Sequence, residues 1–200
     1  MATYSRVGLR DVIFWKLTAD TSSTLTYAAS AEAETVDAID VSISHANADP
    51  DILYANDIEN DVLYPDTELT VTLEVKELPL SLQAKLLGNK VGTKKEIVEV
   101  AGATPPYYAM GFKSAKRDGN DRYVWLVKGR AQPLDEQYHT KEKAPTRQND
   151  TISMTFIKRT KDGAFKYILD SEDIPQAKDP ASFFTAVYNE AVGLTDLSDL

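Results

Sequence analysis

The sequence predicts a mainly β protein with two helices, on three observations. Apolar residues recur at every second position in its clearest segments, glycine-containing turns join pairs of such segments, and helical spacing with start and stop signals occurs only twice.

The first fifteen residues interrupt their apolar side chains with Arg6, Arg10 and Asp11. They lack the continuous core of a signal peptide, which points to synthesis in the cytoplasm. Residues 16–35 are rich in Thr, Ser and Ala and read as a long connection, in which Leu25-Thr26-Tyr27 can hold a short strand. Ile39, Val41 and Ile43 then alternate with Asp40, Ser42 and Ser44, and Leu69, Val71, Leu73 and Val75 alternate with Thr70, Thr72 and Glu74. Each stretch reads as a strand with one buried face. Between them, residues 45–65 read as a long acidic loop holding two apolar islands, Ile52-Leu53-Tyr54 and Val62-Leu63-Tyr64. Loops of this length in a compact domain are functional or disordered, and the islands argue against plain disorder.

Leu78, Leu82 and Leu86 recur at helical spacing, with Pro79 near the first turn and Gly88 just past the last. Residues 107–114 and 122–132 flank Arg117-Asp118-Gly119-Asn120, a hairpin signal. The second of these strands is apolar on both faces, so it belongs at the centre of a layered structure. A second hairpin is expected to join residues 151–159 to 164–170 through Lys161-Asp162-Gly163. A C-terminal helix is expected from Asp179-Pro180 to Gly193, with Phe183, Phe184, Val187, Tyr188 and Ala191 on its apolar face. Residues 194–200 are polar and expected to form a mobile tail.

Composition narrows the chemistry. The chain has 200 residues, 42% hydrophobic and 26% charged, with no cysteine. That is enough to bury a substantial core, and disulfide or thiolate–metal chemistry is excluded. No run approaches the ~20 apolar residues of a membrane span. The net charge of −9 is unevenly spread: residues 1–80 carry 4 basic and 15 acidic side chains, residues 81–170 carry 17 and 10. An acidic total argues against tight nonspecific nucleic-acid binding. Its segregation suits opposite fields on different faces of one subunit, unless the segments interleave in the fold.

A search for catalytic, metal or cofactor residues yields none. His45 and His139 stand in unrelated contexts, and no nucleophile elbow, phosphate loop or dinucleotide fingerprint occurs. Asp57-Ile58-Glu59-Asn60-Asp61 lacks the glycine and the terminal glutamate of an EF-hand loop. Two other classes remain open. Tyr123 and Trp125 among Arg122, Lys128 and Arg130 allow a nucleic-acid-binding β-barrel, although the alternation favours a core tryptophan. A carbohydrate-binding β-sandwich rests on fold class and a supply of Tyr, Trp and Asp alone.

Several ordered fragments carry a resemblance: Val7-Gly8-Leu9-Arg10, Leu53-Tyr54-Ala55-Asn56-Asp57, Val75-Lys76-Glu77-Leu78-Pro79-Leu80 and Gln83-Ala84-Lys85-Leu86-Leu87-Gly88. They continue in residues 105–112, 122–129, 136–141 and 162–167. Through them the chain resembles the phi13-type family of major tail proteins of long-tailed bacteriophages, nearly end to end. The resemblance implies a single tail-tube domain over residues 1–200, two packed sheets in a β-sandwich or rolled barrel flanked by a helix, and the residues read by themselves agree, with a helix after the fourth or fifth strand. It also implies hexameric rings stacked head to tail, in the virion tail, around a lumen that conducts phage DNA without binding it specifically. Other copies, the tape measure, the tail terminator and the distal tail protein would be its partners, and a terminator or cap sharing the fold is the nearest alternative. Some relatives carry an added immunoglobulin-like domain, which is not expected within these 200 residues.

In that setting Ile52, Leu53, Tyr54, Asp57 and Ile58 are expected to contact a neighbouring subunit, unless Leu53 and Tyr54 cap the subunit's own core. Lys141, Lys143 and Arg147 are expected on inter-subunit or outer faces, away from an acidic lumen.

Overall fold

The structure, a computed structural model, describes residues 5–45, 51–55, 58–63, 68–135, 140, 149–170 and 183–188. Its centre is one antiparallel sheet. Strand β1 (Arg6–Asp20) pairs with β10 (Tyr108–Lys116), and β10 with β11 (Asp121–Ala131). Next come β12 (Asp150–Phe156), β7 (Leu69–Val75) and β4 (Ala38–His45).

The short strand β3 (Glu34–Val36) closes the sheet on itself. It pairs with β1, and after Asp37 alone the chain continues as β4 on β7. A single run of chain thus spans both edges, and the Lys76 N–H donates to the Asp37 carbonyl at the junction. Closure removes sheet edges that would otherwise pair promiscuously.

The alternation read from the sequence fills this rolled barrel. Val12 and Phe14, Met110 and Phe112, Val124 and Leu126, Ile152 and Phe156, and all four apolar residues of β7 form one buried cluster. Helix α1 (Leu80–Leu87) adds Leu82 and Leu86, and Leu78 joins from just ahead of it. Gly88 ends the helix at φ 72°, a left-handed conformation that its missing Cβ permits. The helix follows seven strands rather than four or five, because stretches read as loops hold short strands of their own.

Four sequence expectations change. The alternation Ile39–Val41–Ile43 is broken by a bulge between Ala38 and Asp40: Val41 and Ile43 pack on the core while Ile39 is 50% exposed. Residues 45–65 are not all loop, since β5 (Asp51–Ala55) and β6 (Ile58–Leu63) pair as an antiparallel hairpin. The expected hairpin between residues 151–159 and 164–170 does not form. Strand β13 (Lys166–Asp170) pairs with the first half of β11, while β12 takes its last residues. The two lie end to end on one long strand, and the loop between them leaves the sheet and returns, closed by the Arg159 N–H to the Ala164 carbonyl. Finally, the described part of the expected C-terminal helix, residues 183–188, passes into turn and bend after Phe183. Its apolar side chains still pack: Phe183, Phe184, Val187 and Tyr188 cover the outside of the sheet over Trp15 and Trp125.

Three further short strands lie among the described residues. Within the Thr-rich connection, β2 (Leu25–Tyr27) forms as expected and pairs with the end of β1. After α1, β8 (Lys90–Val91) and β9 (Ile97–Val98) make a second isolated hairpin, which the sequence pattern does not signal because each strand is two residues long.

Candidate interface surfaces

Among the described residues no group of three or more histidines and acids comes together as a metal site, and no helix there is long and apolar enough to cross a membrane. The surfaces that project from the barrel are therefore the features to weigh.

The expected interface residues Ile52, Leu53 and Tyr54 lie on β5 and Ile58 begins β6. Leu53 is 57% exposed, so it does not cap the subunit's own core. Val62 is exposed as well. Leu53 stands opposite Asp61 and Val62 opposite Ile52, so these two apolar side chains lie on different faces of the hairpin. Asp57, Lys141, Lys143 and Arg147 lie outside the described residues.

The second hairpin was missed by sequence reasoning. Val91 and Val98 are exposed on it, and Val100 just beyond, beside the exposed Lys90, Lys94 and Lys95. The one signal available was the Lys94-Lys95 pair between two valine-containing dipeptides.

Elsewhere the charged segments interleave. Arg10 of β1 forks onto both carboxylate oxygens of Asp121, Lys113 donates to Asp11 at 2.7 Å, and Lys85 pairs with Glu34. Asp20 at the end of β1 receives Lys128 at 2.6 Å and the Thr160 and Lys161 N–H groups. Burial opposes ionisation of Asp20, but these hydrogen bonds outweigh it and hold the carboxyl below its ordinary range. Asp11 with Lys113, Asp20 with Lys128 and Glu34 with Lys85 thus set acids of residues 1–80 against lysines of residues 81–170, so the two segments interleave in the fold.

A polar node ties the C-terminal segment to the barrel. Arg159 is fully buried, pairs with Asp162, and donates to the Tyr27 hydroxyl, the Tyr167 hydroxyl and the Tyr188 carbonyl. Burial pushes Tyr27 and Tyr167 up to about 12. Asp162 lies below its ordinary value: burial acts against its charge, and hydrogen bonds from Arg159 and Tyr167 more than compensate. The Trp125 indole N–H donates to the Phe183 carbonyl at 3.0 Å on the same face.

The aromatic–basic constellation that allowed a nucleic-acid reading is spent internally. Trp125 is fully buried, Lys128 is held by Asp20, Arg122 by Asp170, and Arg130 lies over the Tyr107 ring.

Compared with known families, the chain matches the model described as phage tail tube protein over residues 18–191. No curated protein matches it.

Proposed function

The chain belongs to the phage tail tube protein family, and from that premise we propose that it stacks as hexameric rings into the conduit through which phage DNA is ejected. It is a structural component of the virion tail; the ring number, the conduit and the finer partners are the proposal. The observation that carries it is the family match across most of the chain. A rolled barrel with a separate hairpin that exposes Leu53 and Val62 supports it.

The subunit acts as one tail-tube domain made in the host cytoplasm. It contacts other copies, the tape measure, the terminator and the distal tail protein. Stacking is heterologous, one surface meeting a different surface on the next copy, because such contacts propagate without closing. The hairpin residues Ile52, Leu53, Tyr54, Asp57 and Ile58 supply one of those surfaces. The surplus of acids favours a lumen that repels phosphate within about 8 Å at physiological salt, with Lys141, Lys143 and Arg147 on inter-subunit or outer faces.

Negative-stain electron microscopy over a concentration series, with size-exclusion chromatography alongside, tests the reading. Hollow tubes or six-fold rings are expected. Discrete rings that never stack but block the ends of preformed tubes would instead make the protein a terminator. Equal proteolysis of residues 45–65 in monomer and tube would remove the hairpin from the interface.

A further inference from the structure

We propose that the acidic β5–β6 hairpin of one copy docks on the basic β8–β9 hairpin of the next copy along the assembly. This rests on the assembly reading above and names the receiving surface that reading leaves open.

Three observations carry it. The first is position. In the antiparallel β4–β7 ladder, His45 faces Leu69 at one end and Ala38 faces Val75 at the other. The β5–β6 hairpin leaves at the first end; α1 and then β8–β9 follow from the second. Two features at opposite ends of one subunit are placed to meet in a head-to-tail arrangement, which is the geometry of a growing stack.

The second is exposure. Each hairpin is a separate two-stranded sheet, a structure of marginal stability alone in water. A hairpin laid flat on its own barrel would bury one face, yet Leu53 and Val62 are exposed on opposite faces of β5–β6. Val91 and Val98 repeat that pattern on β8–β9, where Lys90 faces Val98 and Val91 faces Ile97.

The third is charge. Between Asp51 and Leu63 the charged side chains are all acidic, whereas from Lys90 to Val100 three lysines stand against Glu96 and Glu99. Where β1 meets β10 and β11, Asp11 pairs with Lys113 and Asp20 with Lys128, which offsets part of the charge asymmetry. On β8–β9, Lys90, Lys94 and Lys95 make no ion pair among the described residues. Opposite charge around small apolar centres gives register and a fast encounter rate.

Charge reversal and crosslinking test the pairing on the full chain. K94E/K95E and, separately, D57K/D61K should raise the concentration needed for assembly roughly tenfold, the weight of one or two rim ion pairs. The four changes combined should restore it. Because the chain has no cysteine, single-cysteine proteins report contact cleanly. A mixture of L53C and V91C proteins with a short bis-maleimide should give crosslinked dimers that neither gives alone. Tubes that form while the L53C and V91C mixture gives no crosslink, or unimpaired assembly of K94E/K95E, overturn the pairing and leave the tube reading standing. Crosslinked dimers without rings or tubes support the pairing and overturn the ring reading. Persistent monomer without crosslinks overturns both.

Discussion

At the residue scale, the most consequential side chain is Arg159, which no sequence pattern marks. A cation with no solvent exposure persists only when it is paired and hydrogen-bonded, and Asp162, Tyr27, Tyr167 and the Tyr188 carbonyl supply this. Asp162→Asn should therefore destabilise the fold by about 3 kcal/mol, because it strands a buried charge; a urea melt measures this. The pKa shifts set the pH window. Asp20 and Asp162 are lowered in the fold, so their contribution is complete above the unfolded value of about 4 and is lost as pH falls through the folded values. Tyr27 and Tyr167 are raised to about 12. Their contribution is complete below the unfolded value of about 10 and is lost as pH rises from there toward 12. Burial raises Tyr108 as well, so absorbance titration should show a late-ionising group of tyrosines that Tyr27→Phe and Tyr167→Phe each diminish, and melts should weaken over that same window.

At the element scale, alternation and glycine placement explain most of what forms. Gly111 of β10 faces Trp125 of β11, and a Cβ there would lie 2.5 Å from the indole ring. Gly111→Ala should cost about 1–3 kcal/mol by overpacking, read as a lower melting temperature with unchanged far-ultraviolet spectrum. The bulge in β4 makes a contrasting pair. Ile39→Thr should change stability by less than about 0.5 kcal/mol at its half-exposed position. Leu73→Ala, fully buried on β7, should cost about 2–5 kcal/mol. The strands β7, β10 and β11 and helix α1 were legible because period, turn and cap agree in each. The bulge at Ile39 was not, since it depends on where β4 must meet β7. The β12–β13 hairpin was misread for a related reason: Asp162-Gly163 is a sound turn signal, but β11 is long enough to seat both strands end to end.

At the scale of the whole molecule, both tryptophans lie under the C-terminal segment. Trp15 and Trp125 are the only two in the chain, 5.9 Å apart, and Phe184 stacks 5.1 Å from Trp125. Truncation after Ser182 should therefore shift the emission maximum to longer wavelength and raise acrylamide quenching, while β-sheet circular dichroism is kept. An unshifted spectrum would mean that the barrel alone shields the indoles. The sequence by itself determined the mainly β class, a helix carrying the Leu78, Leu82 and Leu86 stripe and ended by Gly88, the central two-faced strand, and the family to which the chain belongs. Those follow from local periodicity and from fragments whose order is written in the chain. Only the tertiary structure decided that β3 and β4 together close the barrel, that Asp11 and Asp20 of β1 meet Lys113 and Lys128 of β10 and β11, and that two hairpins form sheets of their own. Each of these depends on which edges pair across tens of residues, and a period of two fixes which face a side chain takes without fixing its partner strand.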